Sequence, residues 1–485
     1  MQRKLKQLSG HHSKRTEISS EQIAEQYTYM ARIREFNQSA SRLCYVETYG
    51  CQQNEADSET IRGMALEMGY GICSSPEEAD LIVFNTCAVR EHAEQRVFGN
   101  IGAMLQYKKK KPGLVLALCG CMAGEPHVRQ RIEKSFPAVS LVFSSHDLWR
   151  FPSLLFEVLF HNQRMIAATP SDGVIAEGLP VHRDRSVRGW LPIMYGCDNF
   201  CSYCIVPYVR GRERSRRPEE VLHSAEQLIQ RDGCRDLTLL GQNVNSYGKG
   251  LEERVDFPDL LRRVDALDGD FWIRFMTSHP KDANEHLFRA MAECSKVTHH
   301  LHLPFQSGSN EILRRMNRGY TAEHYRELIH MARSYLPDLV ITSDVIVGFP
   351  GETEADFLDT LHLVEDLRFD ALFTFIFSPR KGTRAAELED PTPKEEKDRW
   401  FQQLVQTQNT ISKEIHSAYI GKTVRVLIDG PAEHQPNCLS ARTNGGRLVV
   451  LPDSDAPIGS FADVQITGST TWSLSGQLVT PEHHT

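Results

Sequence analysis

Short apolar runs alternate with helical segments along most of the chain, and this alternation limits the possible folds more than any other feature of the sequence. The runs CYVETYG (44–50), EEADLIVFNTC (77–87) and GLVLALCGC (113–121) are separated by DSETIRGMALEMGYG (57–71) and EHAEQRVFGNIGAMLQYKKK (91–110), and EPHVRQRIEKSF (125–136) follows. Ile61, Met64, Ala65 and Met68 recur at helical spacing, with Gly69 as a stop. Strand–helix alternation at this spacing predicts a small α/β domain with a parallel sheet over residues 41–165. It resumes on a larger scale between 183 and 415, with strands expected at 190–196, 236–242, 271–277, 299–304, 339–350 and 371–379. Helices are expected between them at 218–233, 309–317 and 354–367. This pattern predicts a partial (β/α) barrel, whose functional residues belong at the carboxyl ends of the strands. Cys197, Gly241, Ser278, Pro304 and Gly348 fall at such ends. From 418 to 482 only short strands and turns remain, which predicts a small antiparallel β-barrel. Residues 1–40 form a polar extension with one helical pattern, Ile23, Tyr27, Met30 and Ile33. The fold class is therefore α/β, with a small β-barrel at the carboxyl end.

The chemistry is concentrated in cysteine. Cys197-x-x-x-Cys201-x-x-Cys204 lies in MYGCDNFCSYCIVP, just after a predicted strand. Iron–sulfur clusters are held by thiolates, and a cubane with three protein ligands keeps one iron open to a chelating molecule. Zinc takes thiolates as well, but its sites usually pair C-x-x-C units, and no second C-x-x-C exists here. A disulfide framework suits a short secreted chain, not one of 485 residues. Three buried structural thiols at this spacing would be unusual core residues. Cys51, Cys87 and Cys121 each follow a strand of the first domain, and strands of one parallel sheet end on the same side. These three form a second candidate trio. Cys119 competes with Cys121 but falls within the strand.

The amino terminus carries no apolar h-region, so no secretory signal is expected. The longest apolar stretch, near 114–124, is too short to span a bilayer. The twelve cysteines then suit a reducing compartment, and a cytoplasmic protein is expected. A net charge of −8 gives no general attraction to nucleic acid, so any RNA contact must come from local basic patches.

The segments YGCQQNEADS, NTCAVREHAEQRVFGNIG, CGCMAG, YGCDNFCSYCIVPYVRGRERSR, LLGQNVNSYG, TSHP, HLPFQSGSNEILRRMNRGY and SDVIVGFPGET together resemble the radical S-adenosylmethionine methylthiotransferase family, over about residues 43–482. NTCAVREHAEQRVFG and YVRGRERSR resemble its MiaB-type branch, which modifies tRNA. The resemblance implies a radical-generating 4Fe–4S cluster on Cys197, Cys201 and Cys204, and an auxiliary 4Fe–4S cluster on Cys51, Cys87 and Cys121. It implies S-adenosylmethionine as cofactor, with Tyr203, Gly241, Gln242, Asp344 and Gly348 as candidate contacts. Gly241-Gln242-Asn243 lacks the acidic residue many radical enzymes carry there. The implied reaction places a methylthio group on carbon 2 of N6-isopentenyladenosine next to the anticodon. No catalytic residue is implied beyond the cluster ligands. The last domain resembles a TRAM module.

The implied partners are a tRNA anticodon stem-loop bearing isopentenyladenosine, an electron donor such as flavodoxin or ferredoxin, and a sulfur source of unknown identity; a monomer without membrane attachment is expected. Arg210, Arg212, Arg214, Arg216 and Arg217, five arginines in eight residues, are the candidate phosphate contacts. Lys108–Lys111, Arg425, Arg442 and Arg447 are further candidates, and His279, His299, His300 and His302 are expected to be structural or pocket-lining. The competing enzymes act on threonylcarbamoyl adenosine in tRNA or on a ribosomal protein aspartate; the competing non-enzyme is an RNA-binding zinc protein.

Overall fold

The computed structural model describes residues 17–88, 91–167, 173–183, 187–433 and 435–479. In the first domain, strands β1 (Leu43–Thr48), β2 (Gly71–Ile72), β3 (Leu81–Thr86), β4 (Val115–Gly120), β5 (Val139–Ser144) and β6 (Met165–Ala167) form one sheet. Its order is β2-β1-β3-β4-β5-β6, parallel throughout. Every residue of β3 and β4 is buried, as strands covered by helices on both faces must be. Leu81, Val83, Val115, Ala117 and Cys119 enter one apolar layer with Met30, Ile61 and Phe151. Ile82, Phe84, Leu116 and Leu118 enter the other, with Val97 and Ile132.

Two sequence expectations change here. The start of the predicted extension, residues 1–16, lies outside the described residues. Its helical pattern, however, becomes α1 (Ser20–Asn37), held at its start by a Ser19/Gln22 capping box. Met30 and Ile33 are fully buried, and Tyr29 meets Phe156 at 5.3 Å. Residues 20–37 are thus part of the first domain's core rather than a polar extension. Residues 137–165 also gain elements the sequence pattern did not signal: β5, the helix Phe151–His161 and β6. FPSLLFEVLFH is apolar nearly all round, so it shows no periodicity to distinguish helix from strand.

The second domain has strands β7 (Arg188–Pro192), β8 (Met194–Tyr195), β9 (Arg214–Ser215), β10 (Asp236–Leu240), β11 (Trp272–Phe275), β12 (His300–His302), β13 (Val340–Val347) and β14 (Ala371–Ile376). Two parallel ladders, β7-β10-β11 and β12-β13-β14, meet at the Ile273–Val297 bridge. β7 and β14 share no ladder, so the barrel is open, as expected. Its apolar core runs from Leu191 and Leu239 to Phe369 and Trp400.

The helix Lys394–Ser417 leads into a closed barrel of β15 (Thr423–Pro431), β16 (Cys438–Thr443), β17 (Leu448–Pro452), β18 (Phe461–Ser469) and β19 (Leu474–Leu478), ordered β15-β16-β17-β19-β18. It seats against the amino ends of the larger barrel's strands. Trp272 meets Phe461 at 4.9 Å, and Arg274 donates to the Asn444 carbonyl at 2.7 Å. Arg425 pairs with Asp270 at 2.8 Å, Arg442 with Asp429 at 3.3 Å, and Arg447 with Asp370. These three arginines, expected as phosphate contacts, are engaged in ion pairs at this junction.

Candidate active site with two cysteine trios

The first trio sits in a loop that two short strands close. Met194 pairs with Ser215 and Tyr195 with Arg214 across β8 and β9. The Cys197 amide donates to the Gly211 carbonyl at 3.2 Å, and the Cys204 amide to the Cys201 carbonyl at 3.0 Å. Asn317 donates to the Asn199 and Phe200 carbonyls at 3.2 and 3.0 Å, tying the loop to the barrel. Burial pushes the Cys197 and Cys204 thiols up to about 12. Arg318, itself buried, donates from Nη1 to the Cys201 sulfur at 3.3 Å.

The second trio comes from adjacent strand ends, because β1, β3 and β4 are neighbours in the sheet. Cys51 stands at the N-cap position of the helix Gln52–Glu67, whose first turn carries Glu55 at the positive end of the helix dipole. Cys87 directly follows β3 and Cys121 directly follows β4. Two glycines permit the convergence. Gly50 has φ +143°, and a Cβ there would lie 2.7 Å from Cys87 Cβ. Gly120 has φ +90°, and a Cβ there would strike the Thr86 carbonyl at 2.5 Å. Burial pushes the Cys121 thiol up to about 12, partly offset by Arg210 and reinforced by Cys87 and Cys51. Cys119, in contrast, is fully buried in the opposite apolar layer. Cys119→Ala is therefore expected to leave bound iron unchanged and to cost about 1 kcal/mol, whereas Cys121→Ala loses about half of the iron; iron analysis after anaerobic loading checks both.

The segment that follows the first trio packs on the second. The turn Val206–Val209 follows Cys204 directly, and its Val209 and Ile205 pack against Cys121 and Ala88. Ser145 donates to the Val209 carbonyl at 3.1 Å. Arg210 then reaches into the first domain, with Nε 3.0 Å from the Cys121 sulfur and Nη2 2.8 Å from Asp57. Arg210 is six positions after Cys204, so these Cα atoms lie within roughly 20 Å.

The donor set fits iron–sulfur clusters better than a single ion. None of the twelve cysteines is in a disulfide. A tetrahedral zinc site draws its sulfurs to roughly 3.8 Å of one another. Among the described residues, only Asp256, Asp259 and His286 have ligand atoms all within 4.8 Å of one another, so neither trio is that tight.

The mouth also fits a polar cofactor. Among the described residues, buried Ser202 Oγ, Gln242 Oε1, Asn243 Oδ1, Ser278 Oγ, His279 Nε2 and Gln306 Oε1 have no hydrogen-bond partner in the protein. Such atoms call for a ligand or water. His279 Nδ1 accepts from the Lys281 amide at 3.2 Å, so Nε2 carries the hydrogen. Burial, with Arg318, Lys281 and Lys249 nearby, holds this imidazole neutral, its pKa far below the usual value. His279 was expected to be structural or pocket-lining, whereas Arg318 carried no sequence signal strong enough to assign it a role.

The sequence-predicted cofactor residues divide. The Tyr203 hydroxyl is 3.5 Å from Arg318 Nη1 at the first trio. Gln242 bears one of the unsatisfied oxygens. A Cβ on Gly241 would lie 2.4 Å from Met194 Cγ, so packing alone accounts for this glycine. Gly348 (φ +72°) turns the chain beside Lys397, with its amide on Glu352. Asp344 lies within β13, 3.6 Å from His302 Nε2, rather than at the strand end. His300 and His302 both bond Thr342 Oγ1 at 3.0 Å inside the barrel.

The arginine run is corrected most. Arg210, Arg214 and Arg216 are buried and face inward. Arg216 forms a two-point pair with Glu177 at 2.7 Å and donates to the Pro192 carbonyl at 2.7 Å. The sequence shows five like side chains, but the β9 pairing turns three of them into the domain junction. Arg212 and Arg217 remain partly or largely exposed, in weak pairs with Asp198, Glu17 and Glu220. Arg212→Ala with Arg217→Ala is expected to lower tRNA affinity and to reduce the salt slope by about 1 to 2, measured by filter binding across salt concentrations.

Residues 191–364 match the Radical SAM superfamily, residues 43–144 the Uncharacterized protein family UPF0004, and residues 417–479 the TRAM domain. Over 462 residues the chain is 46% identical to the tRNA-2-methylthio-N(6)-dimethylallyladenosine synthase of Alkaliphilus oremlandii, covering 95% of this chain and 98% of that one. The protein of the same name from Clostridioides difficile is 44% identical, with 96% and 99% covered. The radical S-adenosylmethionine methyltransferase TsrM of Kitasatospora setae is similar in fold, with a TM-score of 0.53 at 15% identity over 72% of this chain and 77% of that one.

Proposed function

This chain belongs to the family of tRNA-2-methylthio-N(6)-dimethylallyladenosine synthases, and on that premise we propose which of its residues carry the reaction. It is a radical S-adenosylmethionine enzyme that uses 4Fe–4S clusters and modifies tRNA at isopentenyladenosine. Cys197, Cys201 and Cys204 hold one cluster, and Cys51, Cys87 and Cys121 hold the other. The observation that supports this reading is the seating of Arg210, six positions after Cys204, on the Cys121 sulfur.

The target carbon bears an unactivated aromatic C–H bond, so the clusters and S-adenosylmethionine supply radical chemistry and sulfur that no side chain provides. The protein's own residues bind, orient and exclude water. Gln242, Asn243, Ser278, His279 and Gln306 offer unsatisfied polar atoms to S-adenosylmethionine and the entering nucleoside. His279, neutral and with Nε2–H directed away from Lys281, serves as donor without bringing a charge. Arg318 and Arg210 donate to the Cys201 and Cys121 sulfurs and orient them. Arg212 and Arg217 are the arginines of the run left to meet phosphate, and anticodon-loop bases are already unpaired, which lowers the cost of splaying one out. Asp344 and Gly348 support the wall of the site from β13.

A flavodoxin- or ferredoxin-class protein fits as electron donor. One chain contributes both trios, so a monomer is sufficient, and among the described residues no helix is long and apolar enough to cross a membrane. Cytoplasmic residence accords with twelve thiols. Anaerobic loading followed by iron and sulfide analysis tests the assignment: about eight of each per chain are expected. A colourless protein holding zinc would refute it. Loss of 2-methylthio-N6-isopentenyladenosine from the nucleosides of a deletion strain tests the substrate.

A further inference from the structure

We propose that the groove between the outer strand of the open barrel and the helix Lys394–Ser417, closed at one end by Trp472, receives an unpaired base of the tRNA anticodon loop other than the adenosine that reacts. The proposal deepens the tRNA reading above and rests on it. β14 is the last strand of its ladder, and among the described residues no strand or bridge pairs with its outer edge. Three large rings stand there in solvent: Phe373 is 51% exposed, Phe375 46% and Trp472 70%. All three line one hollow of about 280 Å³, together with Phe401, Val405 and Gln408. Single exposed rings are ordinary, but rings gathered on one hollow mark a contact surface.

The polar group of the hollow identifies the occupant as one that hydrogen-bonds. Gln408 is buried, and its Nε2 donates to the Phe369 carbonyl at 2.8 Å and to Ser412 Oγ at 2.9 Å. Its Oε1 has no hydrogen-bond partner among the described residues. A buried acceptor of this kind calls for a donor. A nucleobase supplies N–H groups at its rim and a π face for the rings. The groove is also continuous with the reaction site. Phe373 pairs in register with Asp344, and Phe375 with Ile346, so both rings stand on the same sheet face as those side chains. The Phe373 ring meets the His302 ring at 5.8 Å. Ile346 joins the apolar cluster that Tyr203, between Cys201 and Cys204, also meets. An adenosine drawn into the barrel leaves its neighbours in the loop without a stacking face, and rings at the barrel's edge replace it. Arg425, Arg442 and Arg447 are engaged at the junction, so at this groove the small barrel contributes a ring rather than a charge. The hollow matches the smallest ligand pockets, about 300 Å³, whereas a protein partner needs about 800 Å² of surface on each side.

The test uses the full chain loaded with iron and sulfide and an anticodon stem-loop bearing isopentenyladenosine, with dissociation constants from filter binding. Trp472→Ala is expected to weaken binding about tenfold with an unchanged salt slope, because stacking releases no counterions. Trp472→Phe should keep most of the affinity. Abasic nucleotides placed one at a time through the loop locate the base. At one position other than the reacting adenosine, loss of the base should cost the native chain about tenfold, and should cost little in Trp472→Ala or in Phe373→Ala with Phe375→Ala. Trp472 is largely exposed, so its variant is expected to fold, and native iron content checks this; if it does not, the double phenylalanine variant carries the same comparison. Native affinity in a loaded variant overturns the proposal. So do abasic penalties that are equal in native and variant chains at every position. Unchanged RNA affinity, with product lost when flavodoxin supplies the electrons but not when dithionite does, would place a protein on the groove and also overturn it. A native chain that does not bind the stem-loop at all removes the tRNA reading itself, an outcome seen before any variant is measured.

Discussion

Cys201→Ala is expected to abolish S-adenosylmethionine cleavage, reducing 5′-deoxyadenosine formation to the uncatalysed background. Two thiols cannot replace three around a cluster whose fourth iron must stay open. The loss also leaves Arg318 buried with one of its four polar partners gone, so destabilisation of about 1 to 3 kcal/mol accompanies it. Cys87→Ala should behave differently. Cys87 stands at the end of β3, in another domain from the first trio, so cleavage should persist within about tenfold of the native rate, while methylthiolated tRNA falls below detection. Chromatography of the deoxyadenosine and mass spectrometry of the nucleosides separate the two outcomes. Full product from Cys87→Ala would falsify the placement of the sulfur-handling centre on the second trio.

Arg216→Ala is expected to have the largest effect on stability, not on RNA binding. Its guanidinium is buried between the linker residue Glu177, the Pro192 carbonyl and Ser224. Removing one partner of a buried pair strands the other, at a cost of about 3 kcal/mol, the low end of the usual range because Glu177 stays partly solvated. A fall in the urea midpoint, followed by tryptophan fluorescence, measures it. The residual folded protein should bind tRNA with an unchanged salt slope. A weakened slope without loss of stability would return Arg216 to the phosphate contacts.

Much of the fold was legible because its signals are local. The runs around β3 and β4 are short, apolar and bounded by helical periodicity, and both became central strands. The open barrel and the small closed barrel followed from the same alternation and from its end near residue 418. What stayed hidden had no period. FPSLLFEVLFH is too uniformly apolar to show one, and the pattern Ile23, Met30, Ile33 is too sparse to reveal that α1 is buried. In the site, thiol spacing and strand ends indicated both trios, and the end of β4 separated Cys121 from Cys119. The arginine run was misleading because composition records charge but not direction. A two-residue ladder between β8 and β9 turns Arg214 inward, and Arg210 and Arg216 are buried on either side of it.

The linear sequence by itself determined which thiols are candidate ligands and the strand that each follows, since side-chain identity and apolar period are properties of neighbours along the chain. Only the tertiary structure decided that Arg318 and Arg210 sit on the Cys201 and Cys121 sulfurs, that Asp57 pairs with Arg210, and that Arg425 and Arg447 of the last domain pair with carboxylates at the junction with the open barrel. These are contacts between residues far apart in sequence, and charge acts through space over a few ångströms regardless of how many residues lie between.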